Sequence, residues 1–360
     1  MTRLDYRSVA PSGVPGKGSH HPWALALGVA AVMALAGGAP VIAQSPSAGV
    51  PQGVPATTLT DDTGTVVTIP SDPARVISLS PAITETAFAL GAGDRLVGGT
   101  DYDDYPAQAP ALPDVATYTG VLMEQVVALE PDLVLAAGNG FTPDADIARM
   151  RELGYPVVVL YAEDVDGVMA DIRLIGDALG GDADAAAESM AADMAASIER
   201  ISALAAATGT TPRTFYEIGD QPELYGPAPD SFIEDLVGLA GGDAITTSDP
   251  AVFSIPVEQL IVADPEVIVL GDALYGVCPD VVAARPGWAD ITAVRAGAVR
   301  PVNDTVITRP GPRLADGLAS LTRAIHPELA DELTDFPADP PMCAVAASTT
   351  APSASGSAQP

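Results

Sequence analysis

Few residues of this sequence belong to the types that act as nucleophiles, general bases or ligands of transition metals. The three histidines are His20, His21 and His326, and the two cysteines are Cys278 and Cys343. Two histidines lie near the N-terminus. His326 follows the last predicted helix and precedes a proline, where we expect it on the surface. Because zinc-type sites need several such ligands together, we predict no metal site and no cofactor.

The short motifs of the common enzyme classes are also missing. The sequence has no Gly-x-Ser-x-Gly nucleophile elbow, no His-x-x-x-His ligand pair and no phosphate-binding glycine-rich loop after a strand. The formal net charge is −31, which excludes nucleic acid and anionic membrane surfaces as partners. Acid–base catalysis by paired carboxylates remains the enzymatic alternative in so acidic a chain. We expect binding rather than catalysis.

Two glutamates open the two copies of an internal repeat. Residues 124–135 read EQVVALEPDLVL, and residues 258–270 read EQLIVADPEVIVL. In each copy the Glu-Gln pair begins a short helix, which the proline ends because it lacks an N–H group. The Val/Ile/Leu run that follows is typical of a parallel strand buried on both faces. Taken alone, Glu124 and Glu258 are favourable first-turn helix residues.

The repeat extends upstream of these glutamates. Residues 75–80 and 213–218 predict a strand in each copy, and residues 84–94 and 230–243 predict an amphipathic helix that ends at glycines. The chain therefore contains two similar α/β units. Two open parallel sheets of this kind bind ligands at the carboxyl ends of their strands.

A helical segment separates the two units. Residues 165–208 contain no proline and are rich in Ala, Met, Ile and acidic residues, which predicts an interlobe helix with a break at Gly180-Gly181. Before it lies an N-terminal lobe (58–164), which opens with a β-hairpin, and after it a C-terminal lobe (209–343). We predict two three-layer α/β/α lobes joined by a single long helix, which limits their closing motion.

The N-terminus resembles a secretory signal. Residues 1–43 contain a basic region, an apolar run and a small-residue site, with cleavage expected after Ala43. The apolar run has about 14 residues and a bilayer-spanning helix needs roughly 20, so an uncleaved anchor is the alternative. Residues 44–57 predict a flexible leader and residues 344–360 a disordered tail. We expect an exported protein, periplasmic or extracellular, that is membrane-associated only if the signal stays uncleaved.

Export bears on the two cysteines. An even number of cysteines in an exported chain favours a disulfide. A bond between Cys278 and Cys343 would close a loop of about 65 residues and tie the C-terminal segment to the second lobe.

Several stretches resemble the class III periplasmic binding proteins that serve ABC importers of cobalamin, ferric siderophores and haem. They occur in order between residues 58 and 327: RVISLSPAITE (75–85), GGTDYDDYP (98–106), LPDV (112–115), LEPDLVL (129–135) and RPGWADITAVRAGAV (285–299). The resemblance implies the two-lobed fold, a monomer that captures a metal chelate, and delivery of this ligand to an ABC permease dimer without chemistry.

The resemblance also implies which residues line the ligand cleft. In the first lobe these are Tyr102, Asp103, Tyr118, Asn139 and Phe141. In the second lobe they are Tyr225, Phe253, Asp304, Arg309 and Arg313. Tyr118 and Phe253 stand where the cobalamin binder has tryptophans, so stacking on a flat ligand face is retained. Arg309 and Arg313 can pair with a carboxylate or phosphate, and charge balance with nearby acids is the alternative.

The resemblance further implies that Glu124 and Glu258 dock onto arginines of the permease, because two like-placed carboxylates suit a two-fold symmetric cationic partner. The cobalamin binder's disulfide positions are not cysteine here. The ligand is expected to be a corrinoid or ferric siderophore, with haem as the alternative within the family. An exported carboxylate-dependent hydrolase and a surface-adhesion protein are the alternatives outside it.

Overall fold

Two mostly parallel β-sheets, one in each half of the chain, form the framework of the protein. The computed structural model describes residues 55–343, so the predicted signal (1–43), most of the leader and the tail (344–360) lie outside the described residues. Within residues 55–343, no helix is both long enough and apolar enough to cross a membrane.

An antiparallel hairpin precedes the first sheet, as the sequence predicts. Its strands are β1 (Ala56–Thr60) and β2 (Val66–Pro70). The buried carboxylate of Asp61 orders the turn by accepting bonds from the backbone N–H groups of Thr63 and Thr65. It also pairs with Arg151 at 2.8 Å, which fixes the hairpin to the body of the protein.

The first sheet has six strands in the order β6-β5-β4-β3-β7-β8, and only β6 runs antiparallel to its neighbour. The strands are β3 (Val76–Ser78), β4 (Leu96–Thr100), β5 (Asp114–Thr117), β6 (Gly120–Val121), β7 (Leu133–Ala137) and β8 (Val157–Leu160). The helices between them are α1 (Pro81–Ala89), α2 (Met123–Leu129) and α3 (Asp144–Glu152). We call this unit the first lobe.

The two faces of β7 show why the first lobe has three layers. Leu133 and Leu135 pack into a core that also includes α1 and the helices after β8, whereas Val134 and Ala136 pack into a second core with α2 and α3. Successive side chains of a strand point to opposite faces, so an unbroken apolar run needs a helical layer on each side. The buried parallel strand predicted from the repeat is confirmed.

Two helices connect the lobes, α4 (Val165–Leu179) and α5 (Asp182–Ala207). They are separated by Gly180 and Gly181, both at positive φ, where the sequence predicts the break. The helices pack against each other so closely that a Cβ atom on Gly176 would lie 2.4 Å from the Cβ of Ala187. At 1.5 Å per residue, α5 is roughly 39 Å long and leads to the second sheet.

The second sheet has four parallel strands in the order β10-β9-β11-β12. They are β9 (Arg213–Glu217), β10 (Asp243–Ala244), β11 (Val267–Leu270) and β12 (Val299–Pro301). The helices are α6 (Phe232–Leu239), α7 (Val257–Ala263), α8 (Pro279–Ala283), α9 (Thr292–Ala296), α10 (Asp304–Ile307) and α11 (Leu314–Ile325). We call this unit the second lobe. The core on one face of its sheet is continuous with that of the first lobe.

The internal repeat is also visible in matching hydrogen bonds. At the start of β3, the Arg75 guanidinium donates to the backbone carbonyls of Leu129 and Glu130, which end α2. At the start of β9, Arg213 donates in the same way to the carbonyl of Asp264 at the end of α7. Glu130 and Asp264 both have positive φ. Each copy thus satisfies the last carbonyls of its short helix with an arginine from the neighbouring strand.

Two sequence predictions in the second lobe have different outcomes. Cys278 and Cys343 form a disulfide, as predicted. The expected surface position of His326 is wrong, because its side chain is 2 % exposed. Its Nε2 atom lies 3.1 Å from the carbonyl oxygen of Gly241, just after α6. The end of α11 is therefore covered by a neighbouring helix that is distant in sequence.

Candidate functional site

Exposed aromatic side chains gather at the carboxyl ends of the strands. Those of the first lobe are Tyr102, Tyr105, Tyr118, Phe141 and Tyr161, and those of the second lobe are Phe253 and Tyr275. The carboxyl ends of parallel strands meet at one edge of a sheet, which is where open α/β folds bind ligands. Several large exposed aromatics at such an edge indicate a binding surface rather than incidental exposure.

Tyr102 lies in the loop after β4. Burial raises the pKa of Tyr102, and the charges of Asp101, Tyr118 and Tyr275 raise it further. Tyr275 is not among the cleft residues predicted from the sequence, although its position just after the β11 strand was a usable signal. Tyr118 and Tyr275 are 70 % and 86 % exposed.

Asp103 supports the loop that carries Tyr102. Its buried carboxylate accepts bonds from the Thr84 hydroxyl at 2.8 Å, the Thr100 hydroxyl at 2.8 Å and the Thr100 backbone N–H at 3.0 Å. Burial raises the pKa of Asp103, while these bonds and the charge of Arg309 oppose the rise. Asp103 therefore lies beneath the aromatic surface and orders it.

The turn after β7 holds the next two predicted residues. Asn139 has positive φ, which asparagine tolerates better than most residues. Its Nδ2 atom donates to the Tyr161 hydroxyl at 2.9 Å. Phe141 is exposed two residues later. The turn thus presents an aromatic ring and a polar pair side by side.

In the second lobe, Phe253 is held beside Tyr225. The backbone N–H of Gly226 donates to the carbonyl of Phe253 at 2.9 Å, and Tyr225 forms isolated bridges with Gly219 and Ser254. These hydrogen bonds hold the backbone of the irregular segment around Phe253 in place, and the phenyl ring of Phe253 is exposed. Tyr225 itself is half-buried.

Asp304 lies at the start of α10. It accepts a bond from the Tyr216 hydroxyl at 2.6 Å and one from the Thr308 hydroxyl at 3.2 Å. Burial raises the pKa of Asp304, whereas these bonds and Arg309 lower it. Burial also raises the pKa of Tyr216 well above its ordinary value, so this phenol remains a donor.

Arg309 and Arg313 join the second lobe to the first. Glu85 in α1 accepts bonds from Arg309 Nη1 at 2.9 Å and from Arg313 Nε and Nη2 at 2.7 and 2.6 Å. Asp104 accepts from Arg309 Nη1 and Nη2 at 2.5 and 3.2 Å. The Arg313 guanidinium also stacks 4.0 Å from the ring centre of Tyr105. We call Glu85, Asp104, Arg309 and Arg313 the interlobe ion cluster. Charge balance, the alternative role considered for the two arginines, accounts for these contacts.

A second group of charges lies at the carboxyl edge of the second sheet. The fully buried Glu217 carboxylate accepts bonds from Arg285 Nη1 at 2.8 Å and Nη2 at 2.5 Å, and Arg285 also bonds to Asp220 at 3.0 Å. Asp272 is 4 % exposed, and neither of its carboxyl oxygens meets a hydrogen-bond donor in the described part of the chain. We call these four residues the second-lobe acid cluster.

The protonation of Asp272 follows from this environment. Burial, and after it the charge of Glu217, raises the pKa of Asp272 to about 8. Asp272 is therefore mostly protonated at neutral pH. The sequence did not predict this cluster, because its members come from segments that are far apart along the chain.

Glu124 and Glu258 are exposed in the first turns of α2 and α7. Exposed apolar side chains, Val127 and Val262, lie on the same two helices. The two predicted docking residues thus occupy equivalent places on the two lobes, outside the aromatic surface.

A cavity of 1210 Å³ lies beside α5, and none of the exposed aromatic residues lines it. Its charged lining is entirely acidic and consists of Glu163, Asp164, Asp166, Glu199, Asp230, Glu234 and Asp235. A smaller cavity of 250 Å³ is lined by Tyr105, Arg313 and residues 337–340. Within residues 55–343, no cluster of three or more His, Cys, Asp or Glu side chains is arranged to hold a metal ion.

Two α/β lobes connected by α4 and α5, with exposed aromatic side chains of both lobes at the carboxyl ends of the strands, define a two-lobed solute-binding protein. The chain belongs to the periplasmic binding protein family, whose model matches residues 76–304. The family resemblance and the fold class predicted from the sequence are thereby confirmed.

Three known proteins illustrate the similarity. The chain is 31% identical over 310 residues to an uncharacterized ABC transporter substrate-binding lipoprotein, YvrC, of Bacillus subtilis, covering 85% of this chain and 96% of the relative. It is 33% identical over 281 residues to the cobalamin-binding protein of Halobacterium salinarum, covering 74% and 73%. The crystal structure of the periplasmic vitamin B12 binding protein BtuF of Vibrio cholerae superposes with a TM-score of 0.62 at 25% identity, covering 72% of this chain and 98% of that one.

Proposed function

We propose that the protein is the extracytoplasmic substrate-binding component of an ABC importer and that it captures a corrinoid between its lobes. The observation that carries this proposal is the set of exposed aromatic rings that both lobes place at their strand ends. Flat, partly apolar ligands bind well between such rings, because stacking adds to the burial of apolar area. The names of the cobalamin and vitamin B12 binding relatives support the same ligand class.

The proposed division of labour follows the positions of the side chains. Tyr102, Tyr118 and Phe141 form the wall of the first lobe, and Phe253 and Tyr275 that of the second. Asp304 and Arg309 supply polar contacts, while Asp103, Asn139 and Tyr225 order the loops, and Arg313 closes the interface. Ligand capture and transfer need no bond-breaking chemistry, so we propose that the protein is not an enzyme.

A ferric siderophore and haem are the other candidate ligands. The exposed phenol of Tyr118 favours haem, because a tyrosine oxygen can ligate ferric iron. The acidic surface disfavours polyanionic ferric catecholates, which the net charge of −31 repels. A corrinoid contains no iron that requires a protein ligand, and it is not a polyanion that the acidic surface would repel. We therefore place it first.

Glu124 and Glu258 are proposed to dock onto the two halves of a permease dimer. Their exposure on equivalent helices supports this role, since a monomer with two like carboxylates matches the symmetry of such a partner. We further propose that the protein acts as a periplasmic or extracellular monomer.

Calorimetric titration of the purified protein with cyanocobalamin, ferrichrome, a ferric catecholate and haemin tests the proposal. We expect cyanocobalamin to bind one-to-one with a submicromolar dissociation constant. This corresponds to a binding free energy of about 8 kcal/mol or more. Tyr118→Ala should weaken this binding, and Val66→Ala, at an exposed position on the hairpin, should not. Tight binding of another compound would reassign the ligand, and binding of none would refute the chelate assignment.

A further inference from the structure

The two acids of the interlobe ion cluster differ sharply in burial. The side chain of Glu85 is 2 % exposed and is held by both arginines. The side chain of Asp104 is 62 % exposed and is held by Arg309 alone. Removing Arg309 from Glu85 would leave a carboxylate buried with fewer partners, which is costly. Separating Arg309 from Asp104 costs little, because an exposed ion pair contributes little and water replaces it.

Arg309 therefore has an inner and an outer contact. Its Nη1 atom bonds to Glu85 on the inside, and both Nη1 and Nη2 bond to the two carboxyl oxygens of Asp104 on the outside. This outer contact is bidentate, the geometry that a guanidinium forms with a carboxylate or a phosphate. Any anionic group that reaches the same place can make the same pair of bonds.

The neighbouring residues allow Asp104 to leave without disturbing the loop. Asp103 anchors the loop through Thr84 and Thr100, so the backbone next to Asp104 is fixed independently of Arg309. Tyr102, on the same loop, belongs to the aromatic surface. The outer side of Arg309 thus lies close to the proposed ligand.

We propose that Asp104 is an internal competitor for Arg309: it occupies the place that a carboxylate or phosphate group of the ligand takes, and it rotates into solvent when that ligand binds. The inference rests on the proposed function. It assigns to Asp104 a role in specificity, because a ligand without an anionic group must leave the Arg309–Asp104 pair intact. It also explains why Arg309 pairs with two acids, Glu85 and Asp104, whereas the nearby Arg313 pairs only with Glu85.

The test uses two pairs of ligands in which only one member carries anionic groups. Cyanocobalamin carries the phosphodiester of its nucleotide loop, which dicyanocobinamide lacks, and haemin carries two carboxylates that its dimethyl ester lacks. Asp104→Asn keeps the size of the side chain and removes its charge. We expect it to tighten binding of the anionic member of a pair by about three- to fivefold, the worth of an exposed ion pair, and to leave the neutral member unchanged. The pair that responds identifies phosphate or carboxylate as the group.

Asp101→Asn is the matched control, since Asp101 is exposed on the same loop and is not bonded to Arg309. An equal gain in both variants, or an equal gain for both members of a pair, would show a general charge effect and overturn the inference while leaving the proposed function intact. Arg309→Gln should remove the response to Asp104→Asn, and persistence of the response would also overturn it. If no corrin or porphyrin binds, the proposed function fails and the inference with it.

Discussion

The two lobes share a backbone plan but differ at the carboxyl edge of their sheets. Their central strands pair in the same register, so Leu79 and Gly138 of the first lobe correspond to Glu217 and Asp272 of the second. The first lobe carries five of the seven exposed aromatic rings at the strand ends and no buried charge at these two positions. The second lobe buries the acid cluster there. One copy of the repeat therefore supplies most of the exposed aromatic rings, and the other a buried cluster of charged residues.

The largest expected effect concerns the second-lobe acid cluster. Arg285→Gln would leave Glu217 buried without its bidentate partner, so the free energy of unfolding should fall by about 3–5 kcal/mol. Urea unfolding measures this loss. Arg295→Gln, at an exposed arginine of the same lobe, should cost less than about 1 kcal/mol. Similar losses in the two variants would mean that the buried cluster is no more important than a surface charge.

The second-lobe acid cluster should also give the protein a characteristic pH dependence of stability. Asp272 has its pKa raised from 3.8 to about 8, so the folded protein binds a proton that the unfolded chain releases. Its contribution to stability is therefore greatest below pH 4 and is lost as the pH rises towards 8. Over this range the free energy of unfolding falls by about 1 kcal/mol per pH unit.

Asp272→Asn keeps the neutral form at every pH. Relative to the wild-type protein, this variant should gain stability steadily between pH 5 and pH 8 in urea titrations, by the linkage rule of about 1 kcal/mol per pH unit. Asp290→Asn, at an exposed acid of the same lobe, is the control and should give a constant difference. A flat difference for Asp272→Asn as well would show that Asp272 is ionised at neutral pH.

A smaller effect is expected at the aromatic surface, where both lobes contribute. Tyr118→Ala and Tyr275→Ala should each weaken ligand binding by about 1–2 kcal/mol, because each removes a stacking ring. Titration calorimetry with the bound chelate measures this, with Val66→Ala as the control. If only Tyr118→Ala has an effect, the stacking surface belongs to the first lobe alone.

The smallest difference between the lobes should appear at α2 and α7, the helices that carry Glu124 and Glu258. Glu124→Gln and Glu258→Gln should each slow ligand uptake through the permease by a similar factor, about threefold for the loss of one exposed charge pair, without changing ligand affinity. Uptake of labelled ligand by permease-containing vesicles measures the rate. Unequal slowing would show that the partner is not symmetric, and reduced ligand affinity would place these glutamates in the binding site.

Local signals in the sequence predicted most of the fold. Four predictions depend only on neighbouring residues or on a simple count. They are the short helices that end before a proline, the buried strands in the apolar runs, the helix break at 180–181 and the disulfide, and all four are confirmed. The contacts that the sequence could not predict join distant segments. Glu85 and Arg309 are 224 residues apart, and Glu217 and Arg285 are 68 apart. His326 was misplaced for the same reason, because Gly241 covers it.

The disulfide gives the second lobe a mechanical property that the first lobe does not share within residues 55–343. Cys278 and Cys343 are 65 residues apart in sequence, and the chain between them forms a covalent ring. A stretched chain extends by about 3.4 Å per residue, so roughly 220 Å of contour is withheld from a molecule pulled by its two ends. Reduction of this one bond would release that hidden length, and single-molecule extension would register it as a longer unfolded chain.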